Sequence, residues 1–373
     1  MLRYVPVTIE KFMESIYYVL CWHCHRRCKH CYEDRFRPYI REELAGVVAE
    51  AKANAPRVIA NLPERLTYRE AATEEERAAG SELFIERIGK IILSGGDVLT
   101  EPVREAVLYP TLAAIREKYA AQGGVRVVVQ TTGDLLTPTI IRELVDLGVW
   151  TISVSGMDDF HVGMEGDKKI TLAEKIAAML EEGSVRKADP LADRHERGIE
   201  QGPLYNMFGA NEDTWIGKLW PRGRAWENGL SSATLADNFC NAWSGGLNFL
   251  DHGFAGSEVS IDPNGDVFPC CIKTAHPLGN LTEEPLLDIL ESLAGMPAME
   301  AINAGKPERM GLNDGWDRER FYNESQTITP KGEPYANLCI ACDKFHKEVL
   351  GAALDQRRSE RRGKRLSVIA SNG

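Results

Sequence analysis

The apolar positions of the chain alternate between short continuous runs and stretches of helical period. Residues 16–20 form a short apolar run that leads straight into a cysteine-rich loop. Residues 41–55 carry Ala and Glu at helical spacing and predict a helix. An irregular, charged connection follows over 61–80, with a helix expected at 74–79. Residues 88–93 form an apolar strand broken by Ser94-Gly95-Gly96, and 103–119 a helix. A strand at 125–130 stops at Thr131-Thr132-Gly133, a helix at 138–147 stops at Gly148, and a strand at 150–155 precedes a helix at 171–182.

Strands alternating with helices predict an α/β fold with a parallel sheet, open or closed as a barrel. In such folds function sits on the loops after the strand C-termini. The cysteine loop, the Gly-Gly-Asp turn and the Thr-Thr-Gly turn all fall there. From residue 239 the texture changes. Residues 258–261 and 267–270 flank Asp262-Pro263-Asn264-Gly265, a hairpin pattern with Pro and Gly at suitable turn positions. A short helix is expected at 285–293, loops over 300–338, and a solvated, flexible basic tail over 350–373, where six Lys or Arg fall within 355–365.

Composition narrows the classes. With 44 Lys and Arg against 55 Asp and Glu, the net charge is −11, which argues against broad nucleic-acid binding. No run of 18 apolar residues predicts a membrane span, and no signal-peptide pattern opens the chain. The expectation is a cytoplasmic protein, with no nucleic acid and no membrane among its partners. Nine cysteines in a reducing compartment then point to metal binding or catalysis rather than disulfides.

Cys24, Cys28 and Cys31 have the spacing C-x3-C-x2-C. Three thiolates on one tight loop can cap three irons of a cubane cluster and leave the fourth iron open. The alternative is zinc, with Cys21, His23, His25 or His30 as a fourth ligand.

The run from Cys24 to Tyr32 resembles the signature of the radical S-adenosylmethionine (SAM) superfamily, with His30 where an aromatic residue is usual. That resemblance implies a 4Fe–4S cluster whose open iron is chelated by SAM. It also implies reductive cleavage of SAM to a 5′-deoxyadenosyl radical, and hydrogen abstraction from a substrate. Ser94-Gly95-Gly96-Asp97 is similar to the family's Gly-Gly-Glu motif, so Gly95, Gly96 and Asp97 are expected to hold the SAM amino group. Thr131-Thr132-Gly133 resembles its Thr-Asn-Gly turn, and Ser153-Val154-Ser155-Gly156 with His161 its Ser-x-Asp-Gly…His segment. Thr132 and Ser153 are therefore expected at the cofactor.

Cys240, Cys270, Cys271, Cys339 and Cys342 remain. Gly265 to Cys270 with Cys339-Ile-Ala-Cys342 is similar to the SPASM/Twitch extension, which implies an auxiliary 4Fe–4S cluster. Cys240, Cys270, Cys339 and Cys342 are its expected ligands, with Cys271 an alternative to Cys270. Too few cysteines remain for two further clusters, which matches the shorter Twitch type. A four-cysteine zinc site is the other reading.

The resemblance implies a partial (β/α)6 TIM-like barrel over 1–235 and a small α+β iron–sulfur domain over 236–349. It also implies a small-molecule or peptide substrate and a reducing partner such as flavodoxin or ferredoxin. The short segment before the cysteine loop tilts the expectation toward a small molecule. Asp159, His161 and Arg224 are candidate catalytic residues. Asp158, Asp159 and His161 are the candidate proton acceptors, and Arg224 a carboxylate or phosphate binder within Pro221-Arg-Gly-Arg-Ala225. Trp215, Trp220 and Trp226 are expected to pack between the domains, and the connection at 61–87 is a candidate substrate lid. Competing functions are a non-catalytic iron–sulfur electron carrier and a zinc-stabilised binding protein.

Overall fold

A computed structural model describes residues 13–192, 194–210, 218–242, 244–250, 256 and 258–372. The N-terminal residues and Trp215 lie outside them. The strands are β1 (Ser15–Val19), β2 (Thr67–Ala71), β3 (Phe84–Ile88), β4 (Lys90–Ser94), β5 (Arg126–Thr131), β6 (Val149–Val154), β7 (Arg186–Lys187) and β8 (Leu204–Met207). After them come β9 (Glu258–Ile261), β10 (Asp266–Phe268), β11 (Gly279–Asn280), β12 (Gln326–Ile328) and β13 (Pro334–Ala336).

Nine of these form one sheet in the order β11-β10-β9-β1-β4-β5-β6-β8-β7. From β9 to β7 every pairing is parallel, whereas β10 and β11 add antiparallel. The sheet has two free edges, as an open, TIM-like partial barrel does. The C-terminal hairpin is not detached from it: β9 pairs directly with β1, Tyr17 opposite Ser260.

Alternation along the strands decides which face is which. Ile16, Tyr18, Ile91, Leu93, Val127, Val129, Ile152, Val154, Val259 and Ile261 are buried in one apolar core. That core includes Ala51, Val58, Leu112, Ile115, Ile141, Leu144 and Leu180 of the flanking helices. The opposite, inner face carries Ser15, Tyr17, Ser94, Gln130, Ser153, Asn206, Glu258 and Ser260. With a side-chain period of two, a residue on one strand and its register partner share a face. The outer face therefore holds the fold together, and the inner face mixes these polar groups with Val19, Ile92, Val128 and Leu204.

Four expectations change. The first helix runs Arg41–Ala60, through Pro56, because burying Val58 and Ile59 favours continuing beyond the predicted stop. Residues 67–88 are not a lid. They form the β2–β3 hairpin, whose exit is tied beside the N-terminal strand ends, Gly89 N donating to Leu66 O and Lys90 N to Glu14 O, both at 2.8 Å, away from the cysteine loop. Residues 300–338 contain helix Arg318–Glu324 and the β12–β13 hairpin. Finally, the chain ends in a helix, Gly351–Asn372, not a solvated tail. Its Arg361 is buried and donates to both oxygens of the fully buried Glu284 at 2.8 and 2.9 Å. A basic run reads as solvated until its buried acid is known.

Candidate iron–sulfur and SAM site

The cysteine loop leaves β1 and lies over the strand ends. Gly96 explains why the turn after β4 needs glycine. A Cβ there would stand 2.2 Å from His23 O and 2.6 Å from the Cys24 Cβ, so any side chain would displace the loop. Gly96 N donates to Cys21 O at 3.1 Å and Asp97 N to His23 O at 3.1 Å, stitching turn to loop.

Arg224 completes the cradle from the other side. Its guanidinium donates to Cys28 O (2.9 Å), Asp34 O (2.9 Å), Phe36 O (2.7 Å) and, more weakly, Glu33 O (3.4 Å). Gly223, at φ +53°, permits this approach, since a Cβ there would stand 2.5 Å from Tyr32 C and 2.8 Å from Cys31 O. Arg224 is thus not free for a substrate anion, as its position in the sequence suggested. It holds the loop that carries Cys28 and Cys31. Arg26 and His25 fasten the loop to Asp134 at 2.7 and 2.9 Å.

Asp97 is likewise occupied. Its buried carboxylate accepts from Leu99 N (3.0 Å), Thr131 Oγ1 (3.0 Å), Thr132 N (3.1 Å) and Thr132 Oγ1 (2.6 Å). Asp97 and Thr132 therefore lock the β4 and β5 ends together. Ser153 Oγ donates to Asn206 Oδ1 at 2.6 Å on the inner face. Of the two aspartates offered as proton acceptors, Asp159 is exposed and paired with Lys169 at 2.6 Å. The inward-turned neighbour is Asp158, which binds His161 Nδ1 at 2.8 Å and Ala210 N at 2.8 Å. Burial alone would raise Asp158, but these partners hold it down at about 2. His161 in turn packs edge-on against His30 at 4.4 Å.

The inner face supplies residues that motif reading missed. Tyr17 OH bonds Ser94 Oγ (2.8 Å) and Gln130 Oε1 (3.0 Å) and lies 3.5 Å from Tyr32 OH. Glu258, buried beside β1, accepts from Ser15 Oγ at 2.5 Å. The available signal was one or two polar residues in phase on each of several mostly apolar strands.

The second cysteine set also converges. Cys240 sits on the turn Phe239–Asn241, Cys270 follows β10, and Cys339 and Cys342 lie on helix Leu338–Phe345. Asn337 caps that helix, accepting from Cys339 N at 2.9 Å. Each of these four thiols is raised first by burial. Cys240, Cys270, Cys339 and Cys342 also feel one another's charge. Cys271 instead neighbours Glu258 and the hydroxyls of Tyr17 and Tyr32. Trp220 packs edge-to-face against Phe239 at 4.6 Å and Trp226 likewise against Tyr335 at 5.1 Å, tying this region to the barrel.

Both sets are all-thiol, the donor type of cubane clusters. Tetrahedral zinc needs sulfurs roughly 3.8 Å apart, from Zn–S bonds of about 2.3 Å. Among the described residues, no three cysteine sulfurs lie within 4.8 Å of one another. Burial pushes the Cys24 thiol up to about 12 and Cys31 up to about 11, so without a bound cation both stay protonated. Near the second set, the buried Arg222 Nε has no hydrogen-bond partner, although the same guanidinium binds Asp343 at 3.0 Å. In the first, His30 Nδ1 is buried and unpartnered, a polar atom left for a bound group.

The family model of the radical SAM superfamily matches residues 21–181, and that of an iron–sulfur cluster-binding domain, SPASM, matches 254–297. Together they span more than half of the chain. The chain belongs to the radical SAM superfamily and carries a SPASM-type C-terminal domain. It is an enzyme of that class, with a 4Fe–4S cluster, SAM and auxiliary iron–sulfur as cofactors. Among solved structures it is similar to BtrN in complex with AdoMet and 2-DOIA (12% identity, 80% of this chain and 89% of that one, TM-score 0.42). It is also similar to native anSMEcpe with bound AdoMet (12%, 96% and 100%, 0.41). A third is SuiB of Streptococcus suis bound to precursor peptide SuiA (13%, 75% and 65%, 0.37). No curated protein sequence matches. Among the described residues, no helix is long and apolar enough to cross a membrane.

Proposed function

We propose that the chain uses SAM to abstract a hydrogen atom from a small-molecule or peptide substrate held over the inner face of the partial barrel. When bound, the cluster and SAM supply a one-electron cleavage that yields a 5′-deoxyadenosyl radical. Cys24, Cys28 and Cys31 hold the SAM-binding cluster, and the Gly95-Gly96 backbone and Ser153 face SAM. Cys240, Cys270, Cys339 and Cys342 hold one auxiliary cluster, which leaves Cys271 free. Residues 1–235 provide the barrel and 236–349 the auxiliary domain. Tyr17, Gln130, Asn206 and Glu258 offer hydrogen-bonding groups that orient a substrate, and His161 with Asp158 borders the loop side. Nine free cysteines accord with a reducing, cytoplasmic setting.

The observation that carries this reading is the contact of Gly96 with the Cys24 loop, which sets a glycine turn against a three-cysteine motif at the strand ends. The test is anaerobic reconstitution with iron and sulfide. The expectation is about eight irons per chain, from two cubanes, and 5′-deoxyadenosine on adding SAM and dithionite. Colourless protein with stoichiometric zinc and no SAM cleavage would refute it.

A further inference from the structure

Two arginines separated by Gly223 serve the two cysteine sets. Arg224 reaches the loop of Cys28, and Arg222 reaches the second set. One terminal nitrogen of Arg222 donates to Lys273 O at 3.2 Å and binds Asp343 Oδ1 at 3.0 Å. Lys273 N in turn donates to Cys270 O at 3.1 Å, and Asp343 follows Cys342 on the helix Leu338–Phe345. Arg222 therefore ties the turn that carries Cys270 to the helix that carries Cys339 and Cys342. Its Nε is buried and has no hydrogen-bond partner, a costly state for an N–H donor. Burial raises the Cys270, Cys339 and Cys342 thiols, and the charge of Arg222 opposes that rise at all three.

The surrounding charges leave a cation in excess. Asp343 is shared between Arg222 and Lys347, at 3.0 and 2.6 Å. Lys273 Nζ is engaged by Asp262 and Glu33, at 2.6 and 2.9 Å. His346 is fully buried, and burial keeps its ring neutral. We infer that Arg222 Nε–H donates to a sulfur of the group held by Cys240, Cys270, Cys339 and Cys342, and so stabilises the reduced form of that group. This rests on the auxiliary-cluster reading above. Reduction adds one electron, and with it one negative charge, with no bond made or broken. A nearby cation and a hydrogen bond at sulfur both favour the more negative state, and a buried site screens neither as water would. Arg222 is thus a positioning residue beside the ligands and not a ligand itself.

The test reads the auxiliary cluster alone, in the full-length chain carrying Cys24→Ala, Cys28→Ala and Cys31→Ala, which should hold about four irons after anaerobic reconstitution. A redox titration followed by the electron paramagnetic resonance of the reduced cluster gives its midpoint potential. Adding Arg222→Met should lower the ratio of reduced to oxidised cluster at a fixed poise by about tenfold, which is about 59 mV for one electron. Arg222→Lys keeps the cation but has no donor at Nε, and should fall between. A ratio in Arg222→Met within threefold of the parent, or a ratio in Arg222→Lys equal to the parent's, overturns the inference. If Arg222→Met takes up no iron, Arg222→Lys decides; if neither does, Arg222 only supports the domain and the inference also falls. Zinc in place of iron in the parent refutes the underlying auxiliary-cluster reading instead.

Discussion

Replacing Arg224 by methionine keeps the side-chain volume near that of arginine and removes the guanidinium. Three short bonds to Cys28 O, Asp34 O and Phe36 O disappear, with the weaker one to Glu33 O. A hydrogen bond from a charged donor contributes about 1.5–3 kcal/mol, and a buried acceptor left unsatisfied costs about 1–3 kcal/mol. Allowing each of the three carbonyls only the lower part of that range, the loop loses about 3–5 kcal/mol. That is large for one loop yet within the total of about 5–15 kcal/mol typical of a domain. The loop should open while the sheet stays folded. After anaerobic reconstitution, Arg224→Met should hold about four irons per chain rather than eight, retain its far-UV circular dichroism, and form no 5′-deoxyadenosine. Arg224→Lys, with one nitrogen to serve several carbonyls, should fall between. Full iron content with SAM cleavage within about twofold of wild type would refute the argument. So would loss of both clusters together, because it would mean that Arg224 supports the whole fold and not the loop.

Three further outcomes are expected. Gly96→Ala should lose SAM cleavage and about four irons, since its Cβ would stand 2.2 Å from His23 O; iron analysis beside Gly46→Ala, which meets nothing within 4 Å, provides the control. Cys28→Ala should abolish 5′-deoxyadenosine formation, whereas Cys342→Ala should lose about four irons and keep part of the cleavage; equal loss in both variants would contradict separate roles. Arg361→Ala should destabilise the chain by about 3–5 kcal/mol in urea melts, because it leaves Glu284 buried with a depleted partner set. Burial alone would raise the Glu284 carboxyl, but Arg361 and Arg365 outweigh it and lower its pKa from 4.5. The stability this pair contributes is therefore present above about pH 4.5 and lost as pH falls through the lower folded value. Arg361→Ala should show a flatter stability profile over that acid range.

The cysteine spacings, the glycine turns and the alternation of strands with helices are local properties, and the chain alone was enough to show them. They located the cysteine loop, the second cysteine set and the parallel sheet, because cysteine spacing and backbone freedom depend on neighbours a few residues away. What only the tertiary structure decided is which side chains are already engaged. Asp97 and Thr132 stand in the right motifs, but they spend their hydrogen bonds on each other. Arg224 lies 196 residues from Cys28 in sequence, and that long-range bond turned a substrate-binding candidate into the support of the loop. The basic run at the C-terminus became a packed helix because Glu284, 77 residues away, is fully buried against it. The polar inner row of Tyr17, Gln130, Ser153, Asn206 and Glu258 was spread over five strands, each with one or two unremarkable polar residues. Only the register of the sheet brings them to one face, since pairing partners are fixed by the packing of the apolar face opposite and not by any single strand.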